Sequence, residues 1–313
     1  MNVFSITFLV SLLVVGNIAF DFISRVKFLP RKNEATSVDE LKLCFGGCAG
    51  NVAVVAKKLG INSSLYSSVG KDFKDSDYEK KLLEMGINIE NLQYVDDITA
   101  RSFMFSDDKG NQQIYYYSGA SSRLSYRKVD FSKYRCVHFS AGEISVYENL
   151  MRDAKRENCI VSFDPGQEMF HRDVKKEIIN CIAYADYLFF NEYEADYISR
   201  EMGIKDIREL FSENTRAIIV SMGEKGSRIY TKESGFDIPA VKVKEIKDPT
   251  GAGDSHRAGF LVGIIRGYNE VISCRIGSIV SYFIIQGIGA QENIPSWEDV
   301  LEIYKSEFGE LLS

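Results

Sequence analysis

The sequence runs to 313 residues, 45% apolar and 26% charged, a composition that fits a folded globular protein and excludes a disordered or fibrous chain. Its formal net charge of −6 argues against a nucleic-acid partner, because such binders carry a basic face. Anionic small molecules stay open, since backbone amides at a helix start hold phosphates whatever the net charge.

The chain opens on an apolar run, Val3 to Val15, and its first basic residue is Arg25. A secretory signal would carry its positive charge ahead of such a run. The run is also too short, and too interrupted by Ser and Thr, to span a bilayer, so no membrane partner is expected. The expectation is a buried first strand at Leu12–Val15 ending in Gly16, behind an extra stretch at 1–9. The segment Gly16-Asn17-Ile18-Ala19-Phe20-Asp21 follows. It would set Asp21 at the C-terminal edge of a sheet, where a carboxylate can accept two vicinal hydroxyls. An Asp at that place is equally a turn former.

From Phe22 to Phe45 the pattern is short apolar–polar alternation, with Leu41, Leu43 and Phe45 set against Lys42 and Cys44. The same half-buried strand signal returns at Thr99–Tyr117, where TARSFMFS and QQIYYYS flank DDKGN as a β-hairpin. Together these predict a small sheet, a lid spanning about 22–45 and 99–118, over one end of the main body. Phe103, Phe105 and Tyr115–Tyr117 would form an aromatic wall for a ligand or ordinary sheet packing. An exposed edge such as Leu41–Phe45 invites pairing with a second copy, hence a homodimer through the lid.

In FGGCAGNVAVVAKKLG (Phe45–Gly60), Gly46, Gly47 and Gly50 crowd a helix start ahead of Asn51. Either the backbone approaches a polyhydroxyl ligand that Asn51 bonds, or helix and strand pack tightly there. The helix, Gly50–Leu59, stops at Gly60, and a second, Asp75–Met85, stops at Gly86. Strand-like runs at Val137–Phe139, Ile160–Phe163, Tyr187–Phe190 and Ala217–Ser221 alternate with helical stretches. That alternation predicts a parallel sheet covered by helices, with the ligand at the C-terminal strand ends. The six scattered cysteines (Cys44, Cys48, Cys136, Cys159, Cys181 and Cys274) form no C-x-x-C pair and read as reduced thiols of a cytoplasmic protein.

In FFNEYEAD (Phe189–Asp196), Asn191 and Glu194 lie one helical turn apart after a strand. The pair suits a Mg²⁺ held through water and phosphate oxygens, and it also suits an Asn cap with Glu closing a capping box. VSMGEKGSRIY (Val220–Tyr230) puts Ser221, Gly223 and Gly226 at a strand end, in a loop under phosphates or a simple hairpin turn. The strongest signal is DPTGAGDSHRAGF, Asp248–Phe260. Small residues Gly251, Ala252 and Gly253 open a helix whose free N–H groups form an anion site. Asp254 sits in its first turn, able to accept a hydroxyl proton beside a phosphate, or simply to cap the helix. No Gly-Lys-Ser/Thr follows, so this is not a Walker A loop. Helical patterns then fill Gly259–Arg266, Glu270–Gln286 and Ser296–Leu312.

In this order the segments resemble the ribokinase-like PfkB carbohydrate kinase family. Gly46–Ala53 looks like its first signature, Asn191–Glu194 its N-x-x-E motif and Asp248–Phe260 its second signature. The resemblance covers the chain from about Leu12. It implies one domain over 1–313, an α/β three-layer sandwich with a mostly parallel central sheet and a small β-sheet lid. It further implies ATP as phosphate donor and Mg²⁺ as cofactor, with room for a monovalent cation. Asp254 would be the catalytic base and Gly251, Ala252 and Gly253 the anion hole. Asn17, Asp21, Gly46, Gly47, Asn51 and Gln167 would hold the acceptor. Asn191, Ser221, Gly223, Gly226 and Thr250 would line the ATP, and Glu194 would hold the metal. FGGCAGN, FDPGQ (Phe163–Gln167) and DYLFFNEYE, with Arg257 and Gly259, are most similar to adenosine and other nucleoside kinases. The expected reaction is therefore phosphorylation of a ribonucleoside 5′-hydroxyl. A kinase for ribose, fructose or a related sugar, and a non-catalytic sugar or nucleoside sensor, are the alternatives. His256 departs from the aromatic residue common at its place and reads as local packing.

Overall fold

The computed structural model describes residues 11–109, 111–170 and 174–310. The stretch at 1–9, Gly110 of the expected hairpin turn, and the end of the last expected helix at Leu311 and Leu312 lie outside the described residues. Numbered along the chain, the main-sheet strands are β1 (Ser11–Val15), β4 (Asn62–Gly70), β5 (Asn88–Val95), β8 (Cys136–Phe139), β9 (Ile160–Phe163), β10 (Tyr187–Asn191), β11 (Ala217–Ser221), β12 (Ser227–Tyr230) and β13 (Gly235–Ile238). The helices are α1 (Cys48–Lys58), α2 (Asp77–Glu84), α3 (Tyr147–Arg156), α4 (Lys175–Ile182), α5 (Glu192–Met202), α6 (Ala252–Arg266), α7 (Glu270–Ile284) and α8 (Trp297–Phe308). Among the described residues no helix is long and apolar enough to cross a membrane.

The main sheet runs β13-β12-β11-β10-β9-β8-β1-β4-β5. It is parallel from β5 to β11 and antiparallel at β12 and β13. The expected first strand is there: β1 lies between β4 and β8, fully buried, and a strand covered on both faces requires the continuous apolar run SLLVV. Its alternation builds three layers. Leu12 and Val14 join the core under α1, α6 and α7, whereas Leu13 and Val15 join the core under α3 and α4. Two strands the sequence pattern does not reveal, β4 and β5, finish this edge. In β4, NSSLYSSVG, four serines are buried among the apolar residues, and backbone carbonyls take the hydroxyls of two of them. Ser63 donates to the Ala53 carbonyl at 2.8 Å and Ser68 to that of Ala120 at 2.5 Å. The second helix begins at Asp77 rather than Asp75, because the Ser76 hydroxyl caps it by accepting from the Glu79 amide.

The lid is a separate four-stranded sheet, β3-β2-β6-β7, from β2 (Ala19–Val26), β3 (Val38–Gly46), β6 (Ala100–Ser106) and β7 (Gln112–Tyr117). The hairpin forms as expected, β6 against β7, while β2 pairs with β6 in parallel. Register sorts its faces. Cys44, Asp21, Ser102 and Tyr116 lie opposite one another in one row and so share a face. Phe22, Leu43, Phe103 and Tyr115 occupy the next row, on the other face, with Phe22 stacked on Phe103 at 5.1 Å. The expected aromatic wall is therefore corrected: by the period of two, Phe103, Phe105, Tyr115 and Tyr117 lie away from the Asp21 face, and only Tyr116 shares it.

Helices α6 and α7 cross where glycines meet. A Cβ on Gly259 would stand 2.8 Å from the Gly277 Cα and 2.9 Å from Val280 Cγ2. Gly259→Ala should therefore lower unfolding stability by about 1–3 kcal/mol through overpacking. A denaturant midpoint that falls at unchanged slope is the expected reading.

Candidate active site

The C-terminal ends of the parallel strands, the lid and the start of α6 converge on one cluster of acids. Past β1 the chain turns at Gly16, and the Asn17 carbonyl accepts the first amides of α1, from Ala49 at 3.0 Å and Gly50 at 3.4 Å. β2 then leaves as a lid strand, so Asp21 stands on the lid rather than in a turn at the sheet edge. The return strand β3 ends at Gly46, which lies so close to the Asp21 carboxylate that a side chain there would overlap it. Gly47 caps α1, and Asn51, one turn in, is buried.

Asn51 Nδ2 donates to Asp254 Oδ2 at 2.8 Å, joining α1 to the first turn of α6. Gly251 precedes that turn with φ 78°, a left-handed conformation suited to glycine, and packs against Ala290. Of the three residues expected as an anion hole, Ala252 already donates its amide to the Pro249 carbonyl at 3.1 Å. The N–H groups of Gly251, Gly253 and Asp254 have no acceptor among the described residues, and these are the donors free for an anion. Asp248 stabilises the turn, accepting from Thr250 N at 2.9 Å and Gly289 N at 2.8 Å. Thr250 Oγ1 reaches Met104 Sδ of the lid at 3.5 Å.

Burial pushes the Asp21 carboxyl up to about 7, helped by the charges of Asp254 and Asp248. Asp254 is pushed up by burial to about 6, against the Asn51 hydrogen bond and the Arg257 charge. Most of it is ionised at neutral pH, as a proton acceptor requires.

The other half of the cluster faces the sheet end. Asn191 ends β10 beside Ser221 of β11 in register, and Asn191 and Glu194 close a capping box at 2.8 and 2.9 Å. The local reading of that pair is thus correct, and it leaves Glu194 buried. Glu194 is held above the usual carboxylate range by burial and by Asp164, opposed by Arg257. Arg257 is ion-paired with Asp164 and lies over the Phe189 ring at 5.7 Å. Among the described residues no group of three or more His, Cys, Asp or Glu side chains could hold a metal by itself. A Mg²⁺ that keeps its waters and phosphate oxygens needs only one or two carboxylates, which Glu194 can supply. Gly223 and Gly226 form the turn between β11 and β12, with Met222 N donating to the Gly226 carbonyl at 2.8 Å. Gln167 is exposed on the turn after Asp164, and among the described residues no hydrogen bond ties it to Asp254. His256 is buried, lowered to about 3 by burial and by Arg257, and 3.6 Å from Cys274 Sγ, a neutral packed ring as expected.

Sequence reading missed Tyr78, Gln291 and the counter-ion role of Arg257. A buried arginine inside an acid cluster is a legible signal only once the fold brings Asp164 to it. Arg257→Met should cost about 3–5 kcal/mol in urea unfolding, because Asp164 would be left buried and unpaired. Replacing both partners, Arg257→Met with Asp164→Leu, should recover much of that loss.

A model of the pfkB family carbohydrate kinases matches residues 10–297. A nucleoside kinase of Methanocaldococcus jannaschii is 35% identical over 92% of this chain and 94% of its own length. One from Methanothermobacter thermautotrophicus is 34% identical over 95% and 96%. The crystal structure of the M. jannaschii enzyme, described as an archaeal member of the ribokinase family, superposes with a TM-score of 0.87, covering 95% of this chain and 98% of that one. A nucleoside kinase of Burkholderia thailandensis in complex with inosine shares the fold at 24% identity and a TM-score of 0.85, covering 96% of this chain and all of that one. With the acid cluster and glycine turn in place at the head of α6, these matches show that the chain belongs to the pfkB family of carbohydrate kinases.

Proposed function

We propose that this ATP-dependent kinase phosphorylates the 5′-hydroxyl of a ribonucleoside, with Asp254 as the general base. The observation that carries the reading is one cluster: Asp254 held by Asn51, Asp21 facing it from the lid, and free Gly253 and Asp254 amides at the helix start. The relatives named above as nucleoside kinases support the acceptor class.

The acceptor lies between the lid and α1, its vicinal hydroxyls on Asp21 and the remaining N–H of Asn51, beside Asn17, Gly46 and Gly47. Gln167, from its exposed turn, approaches the acceptor from the sheet edge. As the 5′-oxygen bonds to the γ-phosphorus, its proton passes to Asp254 and the bond from phosphorus to the β-phosphate bridging oxygen breaks. The amides at the start of α6 meet the charge on the transferring group. Asn191, Ser221, Gly223, Gly226 and Thr250 line the nucleotide. Glu194 would hold a Mg²⁺, which when bound neutralises phosphate charge. A monovalent cation near the catalytic turn is also part of the proposal. The protein is read as one cytoplasmic domain over 1–313 with no nucleic-acid partner. A second copy would pair through the lid, whose outer face exposes Leu41, Leu43 and Tyr115.

Purified protein with ATP and Mg²⁺ should turn over adenosine, inosine or cytidine; turnover of ribose or fructose alone would sink the nucleoside reading in favour of a sugar kinase. Asp254→Asn should lower kcat about 10²–10⁴-fold with little change in nucleoside KM, and a kcat within a few-fold of wild type would remove Asp254 as the base. Because Asp254 lies near 6, kcat/KM should fall as pH drops through that value and the base becomes protonated.

A further inference from the structure

We propose that Gln291 and Tyr78 are positioning residues: they fix which way the Asn51 amide faces, and so keep its N–H on the Asp254 carboxylate. Donor and acceptor polarity along four hydrogen bonds carries the inference. Tyr78 Oη donates to the Gly46 carbonyl at 2.9 Å, and a carbonyl can only accept. The Tyr78 oxygen therefore accepts, at 2.7 Å, from Gln291 Nε2. The second N–H of the same nitrogen goes to Asn51 Oδ1 at 3.0 Å. With its oxygen so engaged, Asn51 must present Nδ2 to Asp254, at 2.8 Å.

Both ends of this chain, the Gly46 carbonyl and the Asp254 carboxylate, are acceptors. A chain with acceptors at both ends works only if one link donates twice, and the Gln291 amide nitrogen is that link. Its own oxygen, Oε1, is buried and has no hydrogen-bond partner among the described residues. The side chain thus keeps this orientation while one polar atom goes unsatisfied, which shows that the two donated bonds decide it. Tyr78 is held in turn by stacking on Phe45, with centroids 4.6 Å apart. Lys81 donates to the Gln291 backbone carbonyl at 3.4 Å.

The charged or titratable groups facing Asp254 are Arg257 on α6, Asp164 after β9, Cys48 on α1, Asp21 on the lid and Tyr78 on α2. None of these is removed if residue 291 is replaced by an uncharged side chain. Loss of the Asn51 donor would then appear first as a rise in the Asp254 titration. The catalytic consequence rests on the reading of Asp254 as base; the positioning itself does not.

The test titrates the aspartate carboxyls by carbon-13 NMR, with Asp254 assigned by its absence in Asp254→Asn, alongside the pH profile of kcat/KM. Gln291→Met keeps volume and removes both donors, and should raise the Asp254 midpoint by about one unit, the weight of a hydrogen bond to a charged group. Gln291→Leu also removes both donors without adding a charge, and should raise it by a similar amount. Tyr78→Phe keeps the ring stack and should give a smaller shift of the same sign. An unmoved Asp254 midpoint in both Gln291 variants overturns the proposal, even if activity falls, because packing alone would explain the loss. If the midpoint rises and the acid limb of kcat/KM rises with it, proposal and base role both stand. A midpoint that rises while the limb stays fixed upholds the positioning and removes Asp254 as the base.

Discussion

The hydrogen bond from Asn51 to Asp254 is the join on which the site depends. It links two helices that belong to distant parts of the chain, 203 residues apart in sequence. Each brings its own constraint. Helix α1 must start where the lid returns, so Gly47 passes against the Asn17 carbonyl and the Asp21 carboxylate comes to lie under Gly46. Helix α6 must start in a turn held by Asp248, which fixes where the free amides point. On the proposed reading, a hydroxyl seated between Asp21 and Asp254 would have both a ligand and a proton acceptor close by.

Crowding acids in this way has an energetic consequence. Asp164, Glu194 and Asp254 face a single buried guanidinium, Arg257, while Asp21 faces Asp254 and Asp248 without a cation, and all four carboxyls are raised, chiefly by burial. For a raised carboxyl the folded state holds its proton more tightly than the unfolded chain does. Its contribution to stability is therefore complete below the unfolded value near 3.8 and is lost as pH rises through about 7, the range set by Asp21. The cluster is thus destabilised near neutrality by the burial of its own charge. A bound cation would offset this, while phosphates find their complement in the amides of α6 and the positive end of its dipole.

What was legible in the sequence follows from how local each signal is. SLLVV declares a strand buried on both faces, and Asn191 with Glu194 declares a capping box, because neighbours in sequence satisfy both. The glycine turn before Asp254 is likewise local. β4 was hidden because half of its buried residues are serines, and the carbonyls that take the Ser63 and Ser68 hydroxyls, those of Ala53 and Ala120, lie on other elements. The lid aromatics were legible as strand residues but not as to face, since alternation gives two faces without saying which is inner. Register against Asp21 decides that. Gln291 and Tyr78 are 213 residues apart, and each has a sufficient local reading, a turn residue and a helix residue, so nothing in the sequence singles them out.

The same geometry explains why lid and base are not independent parts. Gly46, the last residue of a lid strand, is the acceptor that starts the polarity running through Tyr78, Gln291 and Asn51 to Asp254. Lys42 of that strand donates to the Ile288 carbonyl at 2.9 Å, in the loop that carries Gln291, and Met104 of another lid strand meets Thr250 in the catalytic turn. Two lid strands thus grip the two loops that flank the start of α6. Displacing the lid would disturb the register of those loops, and with it the orientation of an amide that only hydrogen-bond direction fixes. On the proposed reading, Asp254 is set as the proton acceptor only when the lid sheet is in place.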